Sequence, residues 1–286
     1  MSEIGLGALE VGRRWGIPSL DDPGNPPDEA AAVRFLNDVL DSGVNLIDTA
    51  AAYWLSEERI GKALSGRRSE FVLASKCGEW CDESGSVYDY SPAAMWKFLD
   101  SSLTKLNTDV IDLYQIHSAP LEVIQSGEAL AEMQKAREQG RIRFIGLSCG
   151  EAEALAAIES GGYDTIQISY NALGRSMESR VLPMALSANM GVLIKDGLAA
   201  GRLTDKIHRL GGEHAALKER VAALQSLAEG WAMSLNELAL RFVLSNPAVS
   251  SVIAGTRSGA HLLDNIRASD GRLLTPEQMQ ALEGVA

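Results

Sequence analysis

Ionisable and amide side chains recur at one kind of place in this chain, at or just after the ends of short apolar, β-branched runs. Asp48 and Tyr53 follow the run 45–47, Lys76 follows 71–75 and His117 follows 111–116. Ser148 follows 142–147, Gln167 lies within 165–169 ahead of Tyr170-Asn171, Lys195 closes 192–195, and Gly255-Thr256-Arg257 follows 250–254. A carboxylate, a phenol, an ammonium and an imidazole can hold or pass protons. Amides and hydroxyls can orient a polar ligand. Singly, a Tyr after a strand is most often a packing residue, and a lone Lys or Asp is a solvated charge. Gathered at successive strand ends, they form a candidate site.

What must position them is an alternation of elements. With 4–9, the apolar runs make eight candidate strands. Between them lie segments with apolar residues at helical spacing: 29–42, 56–65, 92–106, 122–139, 151–160, 177–189, 215–230 with 234–245, and 259–268. Strands alternating with helices imply βαβ units and a parallel sheet. Ser91-Pro92 and Thr275-Pro276 place Pro at a first helical position, and Ser234 with Glu237 fits a capping box. Gly43 and Gly191 suit helix C-terminal stops. The segment 21–27 (DDPGNPP) reads as a rigid turn, and 197–212 is the longest irregular stretch.

The length of 286 residues allows two domains or one closed α/β barrel of about 250 residues. Eight strand–helix units without a flexible linker favour one domain over 1–286, a (β/α)8 TIM barrel with an extra C-terminal helix begun at Thr275-Pro276. Such barrels build their sites at the C-terminal ends of the strands, where the groups above fall.

Composition is globular, with 22% charged and 46% hydrophobic residues, and a formal net charge of −12. The acidic balance argues against a nucleic-acid binder, which needs a basic face. No apolar run reaches membrane-spanning length. The N-terminus lacks the basic and apolar regions of a signal peptide. Three cysteines (Cys77, Cys81, Cys149) are too few for a disulfide framework, and a reducing cytoplasm is the expected location. The four histidines show no His-x-His pair at a strand end, so metal chemistry is not expected. Gly5-x-Gly7 lacks the third glycine of a Rossmann fingerprint.

The stretches GVNLIDTAAAYWLSEERIGKAL (43–64), LASK (73–76), DVIDLYQIH (109–117), GRIRFIGLS (140–148), QISYN (167–171) and LALRFVLSNPAVSSVIAGTR (238–257) occur in that order. In these stretches the chain resembles the aldo-keto reductase superfamily over nearly its whole length. The most specific part is Asp-Thr-Ala-x-x-Tyr followed by Ser-Glu-x-x-Ile-Gly.

The resemblance implies reduction of an aldehyde or ketone to an alcohol by hydride transfer from NADPH, with a small carbonyl compound as partner. The family's tetrad falls on Asp48, Tyr53, Lys76 and His117. Tyr53 would donate the proton, and the Lys76 ammonium would lower its phenol pKa toward the operating pH. Asp48 would hold Lys76 charged and in place, and His117 would hydrogen-bond the carbonyl. The alternative implied by the same resemblance is a cofactor-binding or regulatory protein with little turnover.

The resemblance also assigns cofactor contacts. Ser148 and Gln167 would hold the nicotinamide carboxamide, while Cys149 stands where relatives have Asn, so that contact is weakened or replaced. Lys195 stands where relatives often have a stacking aromatic, and could reach a phosphate or the substrate. Gly197, Leu198 and the backbone to Gly201, with Arg202, would wrap the pyrophosphate. Gly255, Thr256, Arg257, His261 and Asn265 would hold the adenosine end, Arg257 offering a guanidinium to a 2′-phosphate. That favours NADP over NAD. Trp15, Trp54, Trp80, Tyr88 and Tyr90 are expected in loops as an apolar substrate wall. A short C-terminus, a reduced N-terminal hairpin and Ser118-Ala119-Pro120 in place of a Trp after His117 imply an open pocket. Lys76, Lys195, Arg202 and Arg257 are expected to converge on one barrel face. Oligomeric state stays open.

Overall fold

A computed structural model of the chain describes residues 1–18, 24–82 and 85–285. The first three residues of the 21–27 turn lie outside the described residues. Eight parallel strands close into a barrel: β1 (Ile4–Gly7), β2 (Leu46–Asp48), β3 (Val72–Cys77), then, after a two-stranded excursion, β6 (Ile111–His117), β7 (Ile142–Ser148), β8 (Thr165–Ser169), β9 (Gly191–Lys195) and β10 (Ser251–Gly255). The excursion is an antiparallel hairpin, β4 (Glu79–Asp82) with β5 (Gly85–Tyr88), pairing Glu79 with Tyr88 and Trp80 with Val87. The ring closes where Ile4 pairs with Val252 and Gly7 with Gly255. The eight-stranded barrel expected from the sequence is therefore present.

Side-chain alternation explains why the polar residues gather. Along a strand, successive side chains point to opposite faces. On β3, Ala74 and Lys76 share a face, and on β6 so do Leu113, Gln115 and His117. Leu46, Ala74, Leu113, Leu193 and Ile253 form a small apolar plug inside the barrel. Two residues further along each of β2, β3, β6 and β9 the inward side chain is Asp48, Lys76, Gln115 or Lys195. The opposite face (Ile47, Leu73, Ile116, Ile194 and others) packs against the helices in the main core. The plug thus forms the floor beneath a polar layer at the C-terminal end.

Twelve α-helices are described, from α1 (Leu9–Gly12) and α2 (Glu29–Asp41) to α11 (Gly259–Ile266) and α12 (Pro276–Glu283). Strand one is shorter than expected because the chain turns at Ala8 into α1. The segment expected as one helix over 122–139 is two, α5 (Leu121–Ser126) and α6 (Glu128–Glu138), broken at Gly127 with φ +71°. Ser91 caps α4 (Pro92–Leu106) by accepting from Ala94 N, and Thr275 forms a reciprocal capping box with Gln278 on α12. At Ser234 half of the expected box forms: its hydroxyl accepts from Glu237 N, but the Glu237 carboxylate turns to Arg241 instead. Gly43 ends α2 with φ +89°, whereas α8 (Val181–Ser187) is followed by a left-handed Asn189, and Gly191 is simply the first residue of β9.

Candidate active site

Asp48 is the hub of the polar layer. Its Oδ2 accepts from Lys76 Nζ at 2.6 Å, and its Oδ1 accepts from Gln167 Nε2 at 2.9 Å and Gln115 Nε2 at 3.2 Å. Lys76 is fully buried. Its ammonium also donates to Thr49 O at 2.9 Å and Tyr53 Oη at 3.2 Å. All three N–H bonds are therefore used, which is what makes a buried charge tolerable. Burial would lower the Lys76 pKa, but Asp48 and Tyr53 outweigh it and raise it.

Tyr53 stands on a 3-10 turn (Ala51–Tyr53) after β2. Because an ammonium only donates, Tyr53 Oη accepts from Lys76 and keeps its own proton for the cavity. Burial raises the phenol pKa; Lys76 pulls it down, Asp48 works against that pull, and the net direction is upward. Lowering by Lys76 was the sequence-based expectation, and the pull exists, but desolvation outweighs it. Gly12 packs directly on this turn: a Cβ there would lie 2.0 Å from Tyr53 O and 2.4 Å from Ser56 N.

His117, at the end of β6, meets Tyr53 edge to face with ring centroids 6.0 Å apart. Its Nδ1 lies 2.9 Å from Glu79 Oε2, an ion-pair approach off the line of a straight hydrogen bond. Burial lowers the imidazole pKa, Glu79 raises it, Lys76 and Lys195 lower it, and the net direction is downward. Burial would raise the Glu79 pKa, but His117 and the hydroxyls of Ser86 and Tyr88 hold it at about 2.

These groups open into a cavity of about 970 Å³ lined by Asp48, Tyr53, Glu79, His117, Gln167 and Lys195, and further out by Gly197, Leu198, Gly255, His261 and Asn265. Lys195 Nζ donates to the buried Ser148 Oγ at 3.0 Å, so Ser148 is reached through Lys195. Burial lowers the Lys195 pKa. Cys149 is buried, and burial pushes its thiol up to about 12. Gly197 admits no side chain, since a Cβ would lie 2.8 Å from Val252 Cγ1. Asp196, Ala199, Ala200 and Gly201 all have positive φ, so the wall after β9 is a tight left-handed run.

Besides Ser148, three expected cofactor residues stand back from this cavity. Arg202 is turned to Ala199 O at 3.2 Å, Thr256 is buried, and Arg257 approaches Glu10 Oε2 at 3.5 Å. Of the four cations expected to converge, Lys195 lines the cavity and Lys76 lies beneath it at Asp48, whereas Arg202 and Arg257 follow β9 and β10 without lining it. The cations lining the outer cavity include Arg13, Lys206 and Arg267, which sequence reasoning missed, as it missed Glu10, Glu79 and Gln115. Of the five aromatic residues expected as a wall, Trp15 lines the cavity; Trp80 and Tyr88 lie on the hairpin rather than in loops, and Tyr90 donates its hydroxyl to His117 O at 2.8 Å. Asn236, which donates to Asn265 Oδ1 at 3.0 Å, also lines the cavity and carries a buried Oδ1 without a partner. Among the described residues, no helix is long and apolar enough to cross a membrane, and no three His, Cys, Asp or Glu side chains gather as a metal group.

A closed (β/α)8 barrel with a Lys–Asp–Tyr cluster and a histidine at its strand ends defines a class of barrel oxidoreductases. The chain belongs to the aldo/keto reductase family, whose model matches residues 3–286. It is similar in structure to aldo-keto reductase AKR11C1 of Bacillus halodurans in its holo form (TM-score 0.85, 28% identity, covering 99% of this chain and 92% of that one). A Klebsiella pneumoniae aldo/keto reductase solved in complex with NADP and acetate gives a TM-score of 0.76 at 26% identity, covering 99% and 90%. The NADH-specific methylglyoxal reductase of Escherichia coli is 27% identical over 99% of this chain and 96% of its own length.

Proposed function

We propose that this protein reduces an aldehyde or ketone to an alcohol using NADPH, with Tyr53 as the general acid. The observation that carries this reading is the reach of Lys76 Nζ, within 3.2 Å of Asp48, Thr49 O and the Tyr53 hydroxyl, at the floor of a cavity that His117 also lines. The residues present fit a nicotinamide dinucleotide. The cavity leads from Tyr53 past Gly197, where no side chain can intrude, to the Asn236–Asn265 amide pair, whose unpartnered Oδ1 suits an adenine amino group. When bound, the cofactor supplies the hydride.

The chain supplies position and the proton. Tyr53 holds its proton because burial keeps the phenol pKa high. As the carbonyl oxygen gains charge, the phenol proton moves to it, and the charge left on Tyr53 Oη is met by the Lys76 ammonium already pointed at it. Asp48 keeps Lys76 charged, and Gln115 and Gln167 fix Asp48. His117 orients the carbonyl. Gln167 holds the carboxamide end of the cofactor, and Lys195 takes the place left by a stacking ring, with Ser148 behind it.

NADPH is the preferred donor in this reading. Its 2′-phosphate would draw Arg257 from Glu10, a partner at only 3.5 Å, and His261 and Arg267 line the same end. The test is a carbonyl panel with wild type and Tyr53→Phe, with both reduced cofactors titrated by fluorescence. Expected are wild-type turnover, a loss of about 10²–10⁴-fold in kcat for Tyr53→Phe, unchanged cofactor binding, and tighter NADPH than NADH. Equal inactivity of the two proteins removes the reductase reading, and equal affinities remove the NADPH preference.

A further inference from the structure

The hairpin β4–β5 leaves the barrel immediately after β3 and returns a carboxylate to the site. Gly78 makes the turn: its φ is +90°, and a Cβ there would lie 2.3 Å from the Tyr90 ring, so only glycine fits. The next residue, Glu79, is 8% exposed, with Oε2 at 2.9 Å from His117 Nδ1. The other oxygen, Oε1, accepts from Ser86 Oγ at 2.9 Å and Tyr88 Oη at 3.3 Å, both from the returning strand. His117 is held from behind as well, since Tyr90 donates to its carbonyl. Ring, carboxylate and hairpin therefore form one built unit.

We propose that Glu79 is a positioning residue for His117: its carboxylate holds Nδ1 in the protonated form, so that a second proton on the ring sits on Nε2 and is presented to the cavity as the donor to the carbonyl oxygen. This rests on the reductase reading above, in which His117 orients the carbonyl. The reasoning is electrostatic. At 2.9 Å, a bare nitrogen lone pair facing a carboxylate oxygen would repel it, so Nδ1 carries the hydrogen. The buried Nδ1 makes no aligned hydrogen bond, so the charge of the Glu79 carboxylate, 2.9 Å away, acts on it directly. Other charged or titratable groups facing the ring are Lys76 from β3, Lys195 from β9 and Tyr53 from the turn after β2. Both lysines disfavour a charged imidazole, and Glu79 opposes them.

The test combines NMR with kinetics. The imidazole nitrogens of 15N-labelled wild type, Glu79→Gln and Glu79→Ala are followed from about pH 4 to about pH 9, a range that reaches below the ordinary histidine midpoint because burial already lowers that of His117. His117 is assigned by the signals lost in His117→Asn. In wild type, neutral His117 is expected as the Nδ1–H tautomer. In Glu79→Gln, where the charge is lost, its midpoint should fall by about one unit or more, a tenfold change in protonation. In Glu79→Ala, the Nδ1–H preference should disappear. The kcat of both variants should fall about tenfold or more, with cofactor affinity kept, as for a lost orienting contact. A midpoint and tautomer unchanged in both variants, or a kcat unchanged despite altered signals, overturns the proposal. If wild type turns over no carbonyl, the reductase reading falls, while the titration still decides whether Glu79 holds His117.

Discussion

Lys76 directs each of its three N–H bonds to a named acceptor from within a fully buried position. Removing the ammonium would strand Asp48 as an unpaired charge, a change that costs about 3–5 kcal/mol. Lys76→Met should therefore unfold at clearly lower urea concentration than wild type, and adding Asp48→Asn should recover part of the loss while turnover stays absent. An unfolding midpoint unchanged in the single variant would contradict the buried ion pair. Asp48, Tyr53, Lys76 and His117 were legible because they lie in strongly patterned stretches, each at or just past the end of an apolar run. Glu79 was not. Three residues beyond Lys76, a glutamate reads as a loop charge, and only the returning hairpin turns it inward. Gln115 was hidden for a related reason: it sits inside DVIDLYQIH, where inward-facing polar residues look like interruptions of a strand. Arg257 follows the end of β10, and its approach to Glu10, 247 residues away in the chain, leaves no local signal.

Between elements, close backbone approach fixes the turn that carries Tyr53, the proton donor of the proposed reaction. The end of α1 lies against the turn that carries Tyr53, with no room for a Cβ at Gly12. Gly12→Ala must push that turn, and a misplacement of about 1 Å can cost about 10²-fold in rate. We expect kcat to fall by that order while cofactor affinity is largely kept. A variant with wild-type kcat would show that the turn yields without moving the phenol. The strand–helix alternation was legible from periodicity, and α7 (Glu151–Ser160) and α9 (Ala215–Gly230) have the expected bounds. What periodicity could not supply were the breaks. Gly127 divides an apolar pattern that continues on both sides, and the hairpin strands are four residues each, β5 exposed throughout, so alternation does not stand out.

At the scale of the molecule, β1 pairs with both β2 and β10, so the first and last strands complete one ring. We expect a single cooperative unfolding transition, with tryptophan fluorescence and far-UV circular dichroism coinciding. NADPH at about 100 times its Kd should add about 2.7 kcal/mol to stability, seen as a rise in Tm. Two separated transitions, or no rise at saturating cofactor, would contradict this. The net charge of −12 was a correct guide to bulk composition and a poor one to the cavity, which mixes Arg13, Lys195 and Lys206 with Glu10, Glu79 and Asp196.

The tie at Asp48 has a consequence for how such a barrel can change over time. It fastens β3, β6 and β8 to β2 through one carboxylate, so four of the eight barrel strands meet at a single side chain. A replacement at any one of them disturbs the other three, whereas the hairpin and the loops around the rim share none of these bonds. Substitutions at the rim can therefore reshape the pocket without loosening this tie, whereas the floor responds as a block.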